Sequence, residues 1–315
     1  MPTSPEIINK IKDKEYSVAM LSKDNLDDLA LLYREVYDVA RPKGYFFKKY
    51  DTAYTGVENV GFIAYDKENR PVAYYGVIPC FIQSGNEIIL AAQSADTMTH
   101  PEHRNKGMFV RLSMMTFDLC RQIGIRLIFG FPNQNSYPAM IKHLGWTETE
   151  KMSRFTIPTG TIWNRVFFKF SKKNNDKVLH KLVLSEPAMK NSAIEEGYTG
   201  VYRNEAYMRY KTYTNTYVIN MNSASLWIKV GDELTIGDII LKENNRKYFF
   251  EEIKALAKKL KLTKISLHVS GGCDLYDLFA SNYKPIQSFP VLFKDFGSGL
   301  QLNKIKFAFA DIDIF

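Results

Sequence analysis

The chain has 315 residues, enough for one large domain or two modest ones, and is of ordinary globular composition, 45% hydrophobic and 14% aromatic. Those proportions exclude a disordered, collagen-like or disulfide-stapled chain. Its 42 Lys and Arg against 34 Asp and Glu leave a formal charge of +8; with the lysines scattered rather than massed, this fits a potential that draws in an anionic cosubstrate better than it fits a nucleic-acid track.

Cys80, Cys120 and Cys273 are widely spaced and form no C-x-x-C or Cys/His cluster, so they read as core residues of a protein kept reduced, and a cytoplasmic location is expected. The opening MPTSPEIINKIKDKEY lacks the apolar core of a signal peptide, and no run is long and apolar enough to span a bilayer. Residues 1–14 read as a polar lead-in and 16–21 as a first strand. Asp24 or Asn25 caps a helix to about Val39, with Leu26, Leu29, Leu32 and Val36 on its apolar face. Residues 41–55, RPKGYFFKKYDTAYT, mix aromatic and basic side chains. Tyr45, Phe46, Tyr50 and Tyr54 are read either as contacts to a substrate or as a satellite core. Residues 60–65 and 71–83 are predicted strands, and Gly85-Asn86 turns the chain into a third, 87–99.

In HPEHRNKGMF, Pro101 ends that strand and Gly107 opens a helix with Phe109, Leu112, Met115, Leu119 and Ile123 at helical spacing. The turn leaves N–H groups of residues 104–109 unpaired at a positive helix end, with Arg104 and Lys106 beside them, an anion site suited to a phosphate or pyrophosphate. A second strand follows and breaks at Pro132, then a short helix that exits through Leu144-Gly145-Trp146, then a strand over 147–157.

This succession of strand, Arg104-Asn105-Lys106-Gly107 turn, helix, strand and the segment NQNSYPAMIKHLGW resembles the acetyl-CoA-binding core of the GNAT acyltransferase superfamily. Arg104 and Gly107 match that family's Arg/Gln-x-x-Gly-x-Gly/Ala turn, while Phe109 stands where a small residue is usual. The resemblance implies an α/β fold built on a mixed sheet, with acetyl-CoA as cosubstrate. Its pyrophosphate would lie on Arg104, Asn105, Lys106, Gly107, Met108 and Phe109. Its pantetheine arm would pair as a false strand with the backbone of Thr97, Met98 and Thr99, and Asn133 and Asn135 would meet the pantetheine or the adenine end.

Residues 161–170 place Trp163, Val166, Phe167 and Phe170 on one face of a basic amphipathic helix, which either docks on its own protein or lies on a membrane surface. Beyond residue 200 the chain echoes its first half. AYMRYKTYT at 206–214 is similar to FFKKYDTAYT at 46–55. A hairpin is predicted over 225–241, a helix over 246–260 and a strand over 264–270, and GGCDLYDLFASNYKP imitates the segment that begins at Phe131. The basic turn is missing, replaced by Lys242-Glu243-Asn244-Asn245. The expected organisation is therefore a GNAT-like acetyl-CoA-binding domain at 1–158, a connecting segment at 159–200, and a degenerate GNAT-like domain at 201–315 that completes an acceptor pocket.

Acyl transfer to an amine needs a base, an oxyanion donor and an acid for the leaving thiolate. Asp96, an acid within an apolar strand, is the first choice of base. The closing FAFADIDIF reads as a last strand with solvated Asp311 and Asp313, and the resemblance to tandem members of the superfamily offers the carboxylate of Phe315 as a second base. A backbone N–H near Met98 or Thr99 would hold the oxyanion. In many members a Tyr stands where this chain has Ile141, which leaves Tyr137 as the substitute acid. No spacing suggests a metal site. The reading is an N-acetyltransferase acting on a primary amine of a small or medium acceptor, an amino sugar being one choice. Its rivals are an aminoacyl-tRNA-dependent peptidyltransferase on the same doubled fold and a CoA-binding scaffold without turnover.

Overall fold

A computed structural model describes residues 15–160, 179 and 188–315; the amphipathic helix expected at 161–170 lies outside them. In chain order the first elements are β1 (Ser17–Met20), α1 (Leu26–Tyr37), α2 (Tyr45–Lys49), β2 (Val60–Tyr65), β3 (Pro71–Ser84) and β4 (Glu87–Thr99), then α3 (Met108–Gln122), β5 (Leu127–Gly130), α4 (Tyr137–Leu144) and β6 (Thr147–Pro158). There follow α5 (Ser192–Glu195), β7 (Gly200–Val201), α6 (Glu205–Tyr210), β8 (Thr216–Asn220), β9 (Ala224–Val230) and β10 (Leu234–Leu241), then α7 (Phe249–Lys259), β11 (Lys264–Val269), α8 (Asp274–Ala280) and β12 (Ile286–Asp295). They form two compact units. One comprises residues up to Phe81, Ile89–Glu148 and Leu292–Gly299; the other comprises Ile82–Ile88, Thr149–Val291 and Leu300–Phe315.

In the first unit β1, β2 and β3 pair antiparallel and β4 lies beside β3. The chain then crosses through α3 to β5, which runs parallel to β4, and the fold is a mixed α/β one. That register runs only from Ala91↔Leu127 to Gln93↔Phe129, whereas β4 continues to Thr99. The two strands therefore part beyond Gln93, as a chain that breaks at Pro132 requires. The core gathers Phe62, Val77, Leu112, Phe117, Ile128 and Trp146 among others. The face of α3 that it buries differs from the apolar stripe. Ser113 and Thr116 are fully buried, while Phe109, Met115, Leu119 and Ile123 are packed only in part. The two hydroxyls return hydrogen bonds to Phe109 O and Leu112 O of their own helix (2.7 and 2.9 Å), which removes the cost of burying them.

In the second unit the order recurs. β8, β9 and β10 form an antiparallel meander, α7 crosses over, and β11 joins β10 in parallel. The closing strands are exchanged. β6, which follows α4, pairs antiparallel with β11, while Leu292–Asp295 of β12, which follows α8, pairs antiparallel with β5. Strands β8 and β12 were not visible in the sequence pattern.

One expectation is corrected. Residues 307–315 form no strand; Phe309–Asp311 is a single 3-10 turn, and Asp311 and Asp313 are buried rather than solvated. The reason is a cation from far away in the chain. Arg203 Nη2 meets Asp311 Oδ1 at 2.7 Å, and its Nη1 meets Asp238 Oδ2 at 2.5 Å, all three side chains being sealed from solvent. Within residues 41–55, a helix forms at α2, and Phe46 and Tyr50 are buried, as the satellite-core reading of these aromatics expects.

Candidate active site

The turn before α3 has the conformation its sequence demands. Asn105 (φ 62°) and Gly107 (φ 74°) are left-handed and Lys106 between them is not, an alternation that aims successive N–H groups to one side. Arg111 N–H makes the first helical bond, to Gly107 O (3.1 Å), and no side chain caps the helix. The N–H groups of Met108, Phe109 and Val110 therefore lie ahead of the ladder, at the positive end of the helix. A Cβ at Gly107 would meet no atom of the described residues within 4 Å, so that position is uncrowded. Met108 is buried and anchors the helix; Phe109 packs against Tyr75, their centroids 5.8 Å apart.

The two basic side chains flank this turn. Arg104 Nε donates to Thr99 O (3.3 Å), and Lys106 Nζ donates to Tyr16 OH (3.0 Å), which in turn lies 2.9 Å from His103 Nδ1. Burial and the neighbouring Lys106 ammonium push the His103 imidazole below its ordinary range. His100, Glu102 and His103 bring possible metal-ligand atoms within 4.8 Å of one another, but Lys106 and Arg104 beside them oppose a dication.

β4 changes hand on its way to the turn. Arg126 N–H donates to Leu90 O, so the backbone of Leu90 faces β5; His100 N–H donates to Val72 O, so that of His100 faces β3. Residues an even number apart on a regular strand face the same way, so one residue must be inserted between them. Asp96, at φ 51°, is the strained position that marks the bulge. Beyond it Thr97 and Thr99 turn their backbone groups to the side that β5 has left, and Met98 faces β3. Thr97 O accepts from Tyr37 OH (3.2 Å).

Asp96 does not stand alone. Its Oδ2 meets Lys49 Nζ at 2.7 Å and accepts from Tyr50 OH at 2.9 Å, with the Lys49 and Asp96 side chains 2% and 9% exposed. Burial, then the Asp96 charge, pushes the Tyr50 phenol well above its usual range. Oδ1 makes no hydrogen bond among the described residues.

At the far end of β5, Asn133 builds the start of α4. Its Oδ1 accepts from Asn135 N–H (2.9 Å) and Ser136 N–H (3.2 Å), and its carbonyl from Tyr137 N–H (3.0 Å). Tyr137 donates its phenol to Glu148 Oε2, and that bond raises its pKa. Ile141 packs in part against the core of the first unit. Asp96, Thr97, Thr99 and the 104–109 turn thus follow one another along a single strand end, with Asn133 and Tyr137 on the element after β5. Phe315, in the second unit, is fully buried, its ring 5.9 Å from Trp227 and 5.5 Å from Phe309 by centroid. Lys49 and Glu148 are the neighbours of Asp96 and Tyr137 that the sequence did not reveal; both bond across turns or elements that no local pattern joins.

Residues 17–149 match the family model described as the acetyltransferase (GNAT) domain. No curated protein matches the sequence. Among solved structures, the chain is similar to an Enterococcus faecalis protein of unknown function described as a probable N-acyltransferase (13% identity, TM-score 0.61), covering 89% of this chain and 72% of that one. It is also similar to a GCN5-related N-acetyltransferase from Kribbella flavida (11%, 0.58, 89% and 71%) and to a putative acetyltransferase from Pyrococcus horikoshii (13%, 0.54, 95% and 95%). At these identities the likeness establishes the fold, and its coverage extends over both units. Among the described residues no helix is long and apolar enough to cross a membrane.

Proposed function

We infer that this protein, which belongs to the GNAT acetyltransferase superfamily through its domain at residues 17–149, transfers an acetyl group from acetyl-CoA to a primary amine of a small or medium acceptor. Amino sugars are among the candidate acceptors. The single observation that carries the reading is the uncrowded, left-handed Asn105–Gly107 turn with its unpaired N–H groups, continuous with a bulged strand end.

The pyrophosphate would rest on the N–H groups of the turn and the start of α3, between Arg104 and Lys106. The pantetheine arm would pair with the outward backbone groups of Thr97 and Thr99, taking the place of Tyr37 OH at Thr97 O. The amine attacks the thioester carbon; a N–C bond forms and the carbonyl oxygen gains charge, held by an outward N–H of the bulged strand rather than by Met98, which faces β3. Asp96 Oδ1 is the oxygen left to accept the amine's proton while Oδ2 stays with Lys49 and Tyr50. As the C–S bond breaks, the thiolate takes a proton from Tyr137, whose phenol Glu148 keeps protonated. The Phe315 carboxylate, the second base that the family resemblance offers, belongs to the other unit, where the Phe315 ring is a packing anchor. A non-catalytic CoA-binding protein is the rival that Ile141 and the ion-paired Asp96 favour.

Calorimetric titration of the wild type and Gly107→Asp with acetyl-CoA tests the site. Aspartate tolerates the left-handed region better than most residues and meets no atom there, so the fold persists at a cost of about 1 kcal/mol. Binding by the wild type and none by the folded variant is expected. Equal binding refutes the placement, and binding without thiol release on any amine refutes turnover.

A further inference from the structure

Between α1 and α2 an arginine is held in place by aromatic rings rather than by an ion pair, with the Asp96 carboxylate acting on it only through space. The Arg41 guanidinium carbon lies 5.0 Å from the centroid of Tyr33 and 5.0 Å from that of Tyr45, and Nη2 donates to Tyr33 OH at 2.6 Å. Arg41 forms no ion pair among the described residues. Phe46, buried beneath, supports both tyrosines, with centroids 5.4 and 5.2 Å away. Two rings and a hydrogen bond thus hold a planar fork whose remaining N–H donors have no hydrogen-bond acceptor among the described residues. An exposed arginine usually keeps its freedom; one packed on two rings has lost much of it before any ligand arrives.

The clamp is one ring from the reacting edge of β4. Tyr33 packs against Tyr37 with their rings tilted and centroids 4.7 Å apart, and Tyr37 OH is on Thr97 O, just past the bulge at Asp96. Resting on the transferase reading above, we propose that Arg41, clamped by Tyr33 and Tyr45, binds a carboxylate of the acceptor, so that the substrate is a primary amine that also carries a carboxylate. A guanidinium fork matches a carboxylate with two parallel N–H···O bonds, and the Lys49 ammonium over the same Tyr45 ring (5.8 Å) is already paired with Asp96, so one planar fork is what the clamp offers. Such a contact also fixes the orientation of the amine relative to the thioester.

The test uses the full chain with acetyl-CoA and paired primary amines that differ at one group: amino acids with their carboxamides, muramic acid with glucosamine, and phosphoethanolamine as the phosphate arm. Thiol release is followed, and acetyl-CoA affinity is measured separately. The carboxylate member of a pair should be favoured roughly 10- to 100-fold in kcat/KM, the range expected for a charged hydrogen-bonded pair. Arg41→Gln should collapse that ratio toward one while leaving acetyl-CoA affinity as it is, and Arg41→Lys, which keeps the charge and loses the fork, should recover only part. A ratio unchanged in Arg41→Gln, equal use of the neutral member, or preference for phosphoethanolamine overturns the proposal and spares the transferase reading. No turnover of any amine, despite acetyl-CoA binding, refutes both.

Discussion

Replacing Lys49 by Met keeps the length of the side chain and removes the one cation bonded to Asp96 among the described residues. The pair is 2.7 Å apart and nearly sealed, so the remaining carboxylate would be left with Tyr50 OH alone. Breaking a buried pair from one side costs about 3–5 kcal/mol, because the surviving charge has neither water nor a counter-ion. Asp96→Asn should cost a comparable amount, since it strands the ammonium instead. The double variant removes both charges and keeps an acceptor for Tyr50, so its cost should fall well short of the sum, by about 2 kcal/mol or more. Urea unfolding followed by intrinsic fluorescence measures all four proteins, with the slope checked for separate unfolding of the two units. Additive costs, or a Lys49→Met penalty below about 1 kcal/mol, would show that the pair is solvated in solution and that the bulge at Asp96 is held by something else. Because the left-handed Asp96 itself costs on the order of 1–2 kcal/mol, the pair is the interaction placed to offset it.

Three further outcomes are expected. Tyr137→Phe should lower kcat about 100-fold with little change in acetyl-CoA affinity, as loss of a general acid does; a kcat within threefold of wild type would remove Tyr137 from the reaction. Tyr37→Phe frees Thr97 O, so calorimetry should find acetyl-CoA bound about two- to fivefold more tightly, and weaker binding would mean that the phenol helps the ligand instead. His268 lies 2.6 Å from Ser288 Oγ and stacked on Phe309, and burial pushes its imidazole down to about 4. A base depressed on folding contributes stability above its unfolded pKa, near 6.5, and loses it as pH falls toward 4, so urea stability should drop by up to about 2 kcal/mol from pH 7 to 5. His268→Phe should flatten that slope, and a parallel slope in the variant would place its origin in other groups.

How much of this was legible follows from what each residue bonds to. The meander, the Gly107 turn and the strand that breaks at Pro132 were readable because alternation, a left-handed glycine and a proline are local signals. The buried face of α3 was not, because Ser113 and Thr116 satisfy their hydroxyls on their own helix and so enter a core that polarity would deny them. The ending FAFADIDIF alternates like a strand only if its acids are taken as solvated. Arg203, more than one hundred residues earlier, neutralises Asp311, and no pattern within the segment announces it. Lys49 and Asp96 were each visible as residues, but their pairing needed the fold.

The two units differ in what surrounds an irregularity that they share. In each, the strand before the crossover helix is irregular at an acid: Asp96 at φ 51° on β4, and Asp238 on β10, where the register against β9 slips between Ile236 and Asp238. In each, a cation from the segment preceding the meander holds that acid, Lys49 ahead of β2 and Arg203 ahead of β8. What differs is the space beside the bulge. On β10 the slipped residue is Gly237, and a Cβ there would lie 2.3 Å from Phe315 Cζ, so the aromatic ring already occupies that position. On β4 the parallel register with β5 ends at Gln93 while the strand continues to Thr99, and the turn that follows is uncrowded at Gly107. The same backbone irregularity is thus filled by a side chain on β10, whereas on β4 it runs into a basic turn whose left-handed glycine is uncrowded.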